Sequence, residues 1–286
     1  CGTTSQHPQA RPRATHPVLG GPDSTAVRSS STSAATTTGT STTSTTGATR
    51  VTTPDPATLP PSTNPATVAA PAAPLLVTQV VGLGSAQQAI VVAADGDGTS
   101  TATVTAYERD AGTWKQIFGP WAADIGRNGV APIGAKREGD GRTPSGVFGF
   151  DFMFGVDPDP GVRYPYRHVG GSNIVWDDDP TSPNYNEWID TNTAPAGVAP
   201  EPMDNVPSYL YGAVIAYNDA RTPGLGSAIF LHVSHASSTA GCVALPIDEL
   251  LELLRWLDPH RSPRIAIGTA ATLTWRPARP PLFTGS

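Results

Sequence analysis

Cysteine is scarce in this chain of 286 residues: there are two, Cys1 and Cys242, and Cys242 has no plausible disulfide partner. An unpaired thiol of this kind needs a reason in its own surroundings. Positive charge is also in short supply. Lys and Arg total 18 against 24 Asp and Glu, a formal charge of −6, and no basic run could neutralise a row of phosphates. This composition argues against nucleic-acid binding. No window approaches the ~20 consecutive apolar residues of a membrane-spanning helix, and no Asn-x-Ser/Thr acceptor occurs.

Ser, Thr and Pro are abundant at the N-terminal end. Between Ser24 and Thr53, 20 of 30 residues are Ser or Thr, and between Pro54 and Pro74 seven prolines follow. Neither tract can bury a core, and the second favours extended polyproline-like conformations. Residues 1–74 therefore read as a tether whose flexible reach is about 45 Å, and its composition suits O-glycosylation. The chain begins Cys1-Gly2 without Met. That start suggests a bacterial lipoprotein with Cys1 acylated, holding the chain to the cell membrane. The plain alternative is a chain that happens to begin at Cys.

Regular structure is expected from residue 75 onward, as one domain over 75–286 with N-terminal strands in 75–120 and a motif-bearing core in 121–270. "LLVTQVVGL", "QAIVVAAD", "TATVTAYER" and "TWKQIFGPW" are short, β-branched and punctuated by Gly, Ser and Asp, as neighbouring antiparallel strands are. "YGAVIAYN" (211–218), "SAIFLHV" (227–233) and "RIAIG" (264–268) have the nearly continuous apolar runs of buried strands. The Gly-, Pro-, Asp- and Asn-rich stretch from Arg137 to Tyr209 reads as long loops. One helix is evident where Ile247, Leu250, Leu251, Leu254 and Leu257 recur at helical spacing after Pro246 and before Pro259. It starts about four residues after Cys242, and its N-terminal field is expected to favour a thiolate.

His232 ends an apolar strand, His235 lies three residues on, and Cys242 follows across a Ser/Thr/Ala/Gly loop. A histidine folded back to the thiol could take its proton and return it to a leaving amine, as acyl transfer through a thioester requires. Gly241 permits a tight turn that could aim the N–H groups of Gly241 and Cys242 at a developing oxyanion. The plain reading of Cys242 is a buried core residue.

These residues resemble the catalytic core of the L,D-transpeptidases of the YkuD type. The resemblance rests on His232 followed by Thr239, Ala240, Gly241, Cys242 and Val243; on Thr143, Pro144, Gly146 and Phe148 within "GAKREGDGRTPSGVFGF"; and on "WDDDPTSPNYNEW" (176–188), similar to the DDP…S…YN loop of one branch. Ala240 and Ala244 depart from the commoner pattern, Ser-His-Gly-Cys with Arg or Asn two residues after the cysteine, and Thr239–Cys242 resembles a TAGC variant of the branch that carries the DDP loop.

The resemblance implies a mostly β fold, a YkuD-like β-sandwich or barrel-like catalytic domain with one clear helix after the cysteine. It implies peptidoglycan stem peptides as substrate and no cofactor. Cys242 is then the nucleophile, His232 the base, and Gly241 with Cys242 the oxyanion donors, with His235 as the alternative base. Arg142, Thr143, Tyr211, Asp178 and Thr239 are candidate substrate contacts. The product is a 3–3 cross-link, or a tripeptide if water is the acceptor, as in an L,D-carboxypeptidase. A domain of this kind, anchored through a lipid on Cys1, would sit outside the cytoplasm facing the wall.

Two other classes stay open. A non-catalytic wall-binding lipoprotein is kept open by Ala240 and Ala244. A zinc hydrolase could use His232, His235, Cys242 and an Asp from 177–179, but no Glu follows the first His as base, and His residues three apart on a strand end point to opposite faces.

Overall fold

The computed structural model describes residues 76–274. Cys1 and the tether expected over 1–74 lie outside the described residues. The fold is mostly β. In chain order the strands are β1 (Gln88–Ala94), β2 (Thr101–Asp110), β3 (Thr113–Asp124), β4 (Val130–Ala131), β5 (Thr143–Pro144), β6 (Gly146–Phe148), β7 (Phe150–Gly155) and β8 (Tyr166–His168). They continue with β9 (Ile174–Asp177), β10 (Glu187–Asp190), β11 (Glu201–Pro202), β12 (Gly212–Ile215), β13 (Phe230–Val233), β14 (Val243–Leu245) and β15 (Arg264–Thr269). Helix α1 spans Ile247–Trp256 and α2 spans Ala270–Thr274.

Ten strands form one curled sheet in the order β6-β15-β1-β2-β3-β14-β13-β12-β7-β8, and β9, β10 and β11 form a separate three-stranded antiparallel sheet. The three expected N-terminal strands over residues 88–124 are antiparallel neighbours, and β3 passes the sheet on to β14. The stretch "LLVTQVVGL" is not a strand. It opens as a 3-10 turn, Leu76–Gln79, with Val77 buried beside Leu83, Ala89 and Tyr107. Both edges of β1 are already paired, with β2 and β15, so this segment has no edge to join and covers a face instead. The Arg137–Tyr209 region, expected as loops, contains the short strands β5 to β11. Their brevity and interruption by Gly, Pro and Asp hide the alternation on which strand reading depends.

Helix α1 follows from its sequence. Pro246 precedes it, Asp248 and Glu249 lie in its first turn, and Arg255 in its last, all matching the helix dipole. Leu250, Leu253, Leu254 and Leu257 are fully buried, each stabilising the fold by roughly 1.5–3 kcal/mol. Leu253 takes the inward place expected of Leu251.

Strand β13 lies between β12 and β14 and is buried on both sides, which explains its apolar run. Alternation sends Leu231 and Val233 towards the core that holds α1. It sends Phe230 to the opposite face, into a second core with Phe152, Phe154, Trp176, Met203, Tyr209 and Cys242. The rings of Phe154 and Trp176 meet Phe230 edge-on at 5.2 and 5.0 Å.

Candidate active site

The site forms where β13 and β14 run side by side. They are parallel, with Leu231 opposite Val243 and His232 opposite Ala244. Cys242 stands two residues before Ala244, so period-two alternation puts His232 and Cys242 on one face. Parallel neighbours need a crossover, and here residues 234–242 supply it by running out to the segment after β3. Thr239 N–H donates to the Ile125 carbonyl, and Arg127 N–H to the Thr239 carbonyl, each at 2.9 Å. The returning chain packs tightly: a Cβ on Gly241 would lie 3.0 Å from the Arg142 carbonyl and 3.2 Å from Ile229.

Both side chains line a cavity of about 400 Å³, together with Tyr209, Asp178, Glu138, Glu201, Lys136 and the loop Ser237–Gly241. His232 is 5 % exposed, and its Nδ1 lies 2.9 Å from the Val233 carbonyl. As a donor there, Nδ1 carries the hydrogen, which assigns the tautomer and leaves Nε2 as the acceptor. Burial lowers the His232 pKa to about 4, opposed by the Val233 hydrogen bond. The imidazole is therefore neutral at pH 7. Tyr209 packs edge-on against this ring at 5.5 Å.

The thiol is also neutral. Cys242 Sγ donates to the Ala228 carbonyl and accepts from Phe230 N–H, each at 3.3 Å. Burial raises its pKa to about 12. The thiolate expected from the helix field is thus overturned: β14 intervenes before α1, and desolvation outweighs a helix terminus that distant. No hydrogen bond joins Sγ to His232 in this arrangement.

Several expected contacts have other work. Thr143 is fully buried, donating to the Cys242 carbonyl at 3.1 Å and accepting from Gly126 N–H at 2.8 Å, so it supports the cysteine and does not face the cavity. Thr239 lines the cavity, but its hydroxyl also donates to the Cys242 carbonyl, at 2.8 Å. That same Oγ1 accepts the Gly241 N–H at 3.1 Å, so Gly241, expected as an oxyanion donor, has its amide occupied. Arg142 sends Nη1 to the Val130 carbonyl at 3.0 Å and is not a lining residue. Tyr211 packs on the α1 side near Asp157, outside the cavity; the aromatic at the site is Tyr209, whose hydroxyl bonds Glu201 at 3.1 Å. Residues 206–211 form turns, so strand alternation could not have chosen between these tyrosines.

The three aspartates divide. Asp177 accepts from Ser182 Oγ and Gly197 N–H, and Asp179 from Thr181 and Val198 N–H, so both organise turns. Asp178 lines the cavity, where burial first, and then Glu138, Glu201 and Asp177, raise its pKa to about 6. Glu138, although it lies within the GAKREGDGRTPSGVFGF segment, and Glu201 belong to no spacing pattern that aims them at the cavity. Glu138 accepts from the Tyr185 and Ser227 hydroxyls at 2.5 and 2.7 Å. Lys136 is buried and bonds Asp140 at 2.8 Å. His235 is exposed on the rim, and among the described residues no group of three or more His, Cys, Asp or Glu is arranged to hold a metal. A larger cleft of about 700 Å³, lined by Asp151, Arg167, Trp188, Asp219 and Arg221, contains neither His232 nor Cys242.

Comparison with protein families matches residues 88–270 to the YkuD L,D-transpeptidase catalytic domain. Curated proteins give no significant match. Among solved structures, the helical cell shape determining protein Pgp2 from Campylobacter jejuni is similar at 14% identity with a TM-score of 0.33, covering 68% of this chain and 54% of that one. The chain thus spans about half the length of that protein.

Proposed function

Because the chain belongs to the YkuD L,D-transpeptidase catalytic domain family, we propose that it is a cysteine acyltransferase acting on peptidoglycan stem peptides. Cys242 attacks the carbonyl at the L-centre of meso-diaminopimelate in a tetrapeptide stem. His232 Nε2 takes the thiol proton and returns it to the leaving amine, releasing D-alanine and leaving a thioester. An amine of a second stem then attacks, restores the thiol and forms a 3–3 cross-link; with water the product is a tripeptide.

The observation that carries this reading is that His232 and Cys242 share one face of two paired strands and one cavity, with the imidazole neutral. A neutral thiol beside a neutral imidazole calls for proton transfer during attack instead of a standing ion pair. Of the two expected oxyanion donors, the Cys242 N–H remains the candidate, since the Gly241 amide bonds Thr239. Asp178 is proposed to meet a stem amine as a charged acceptor.

We further assign the chain to the TAGC branch, on Thr239–Cys242 and the DDP loop. Residues 75–286 are proposed as one catalytic unit, because β1 to β3 share the sheet of β13 and β14. The substrate lies outside the cytoplasmic membrane, and the domain is proposed to act there.

The test is incubation of the protein and its Cys242→Ala variant with purified disaccharide-tetrapeptide, reading products and intact protein by mass spectrometry. Cys242-dependent loss of D-alanine is expected, and dimer or tripeptide distinguishes transfer from hydrolysis. Absence of product and acyl adduct, beside an active control enzyme, overturns the reading in favour of a wall-binding role.

A further inference from the structure

Asn186 ends the YN pair of the DDP loop, and the chemistry proposed above leaves it without a role. Its side chain ties three separate segments together. Oδ1 accepts from Trp176 Nε1 at 3.0 Å and from Ala228 N–H at 3.2 Å, while Nδ2 donates to the carbonyls of Tyr217 and Asn218 at 3.3 and 3.2 Å. Ala228 is the residue whose carbonyl accepts the Cys242 S–H. It sits in the left-handed region at φ 52°, where a residue with a Cβ needs its surroundings to hold it. Asn186 is itself at φ 61°, which Asn tolerates better than most residues.

We infer that Asn186 is a positioning residue for the nucleophile: through Ala228 it holds a carbonyl against the Cys242 S–H, keeping the thiol protonated and unshared with His232. A carbonyl that accepts from the S–H favours the neutral form, since a thiolate has no hydrogen to give it, and here it acts with burial and Glu201 against the Phe230 N–H that donates to Sγ and against the Lys136 charge. Ala228 is the residue that transmits the effect: its N–H meets Asn186, its carbonyl meets the thiol, and its left-handed φ fixes the orientation of the one relative to the other. The inference rests on Cys242 being the reactive thiol of the proposed enzyme.

The experiment is the pH–rate profile of Cys242 alkylation by iodoacetamide in the full chain, read at that residue by peptide mass spectrometry so that Cys1 does not interfere. Asn186→Gly removes the amide while accepting the positive φ. It is expected to move the midpoint of the profile down by about one pH unit, making alkylation at a fixed pH below the midpoint roughly tenfold faster. Asn186→Asp keeps an acceptor for Trp176 and Ala228 while losing the donor to the Tyr217 and Asn218 carbonyls and adding a negative charge, so its midpoint is expected to stay at or above the wild-type value and not to fall as in Asn186→Gly. A profile in Asn186→Gly that superimposes on wild type, or one whose rate rises, plateau included, while its midpoint stays in place, overturns the inference, because the latter reports access alone.

Hydrogen exchange of the Ala228 amide in the wild-type chain provides a second measurement free of any folding question. Protection is expected from the Asn186 bond, and exchange at unstructured-peptide rates also overturns the inference. Neither readout uses peptidoglycan. A chain with this profile and no turnover keeps the role of Asn186 and loses the enzymatic reading; turnover with a profile indifferent to Asn186 does the reverse.

Discussion

Thr143 and Cys242, 99 residues apart in sequence, are joined by a buried hydrogen bond from the Thr143 hydroxyl to the Cys242 carbonyl at 3.1 Å. The same hydroxyl accepts from Gly126 N–H, so one side chain pins the backbone of the cysteine to the segment after β3. Thr143→Val removes both bonds and strands a buried N–H. The expected cost is about 1–3 kcal/mol in chemical denaturation, with a fall in D-alanine release, and Thr143→Ser restores most of both.

His232→Gln removes the proposed base while keeping a polar side chain of similar size. A loss of about 10²–10⁴ in the rate of D-alanine release is expected, measured by single-turnover mass spectrometry. His235→Gln, altering an exposed rim residue, is expected to stay within a few-fold of wild type; the opposite ranking would make His235 the base.

Burial holds the His232 pKa near 4, below the ordinary histidine value of about 6.5. The unfolded chain therefore binds more protons between those values, and the stability contributed by neutral His232 is present above about pH 6.5 and lost as pH falls through 4. Equilibrium unfolding across this window is expected to show a decline of order 3 kcal/mol attributable to this residue, absent in His232→Gln.

Asp178 titrates near pH 6 in the cavity. Its charged form, present above that value, is the one that attracts an amine. KM for an amine-bearing stem is expected to rise as pH falls through 6. Asp178→Asn is expected to raise KM about tenfold at neutral pH and to remove that pH dependence, measured by steady-state release of D-alanine.

Gly126 makes a close approach no side chain can share. A Cβ there would lie 2.5 Å from the Gly141 carbonyl and 2.7 Å from Thr143 N, both backbone atoms that cannot swing aside. Gly126→Ala is expected to lower the unfolding midpoint clearly and to slow catalysis by moving the Thr239 bridge, whereas Gly134→Ala, with open space around it, affects stability only through its positive φ.

Much of the scaffold was legible because it rests on local patterns. Residues 88–124 are short, β-branched runs punctuated by turn residues, as antiparallel strands are, and the leucines after Pro246 recur at helical spacing. The site residues Cys242 and His232 stood out because a lone thiol followed two histidines across a small-residue loop. Tyr209, Glu138 and Glu201 carry no comparable signal. Their approach to the thiol comes from turns and from the second sheet, where no periodicity relates a residue to its distant neighbours.

The sequence by itself determined the mostly β character, the helix after the cysteine and the family, since strand and helix periodicity and the His…TAGC spacing are properties of neighbouring residues. Only the tertiary structure decided which groups face the cavity. It turned Asp178 inward while Asp177 and Asp179 organise turns, used Thr143 and Thr239 to hold the Cys242 carbonyl, and occupied the Gly241 amide. It also set the protonation of the pair: desolvation depends on everything packed around a group, and here it keeps both His232 and Cys242 neutral, against the thiolate that the nearby helix alone would favour.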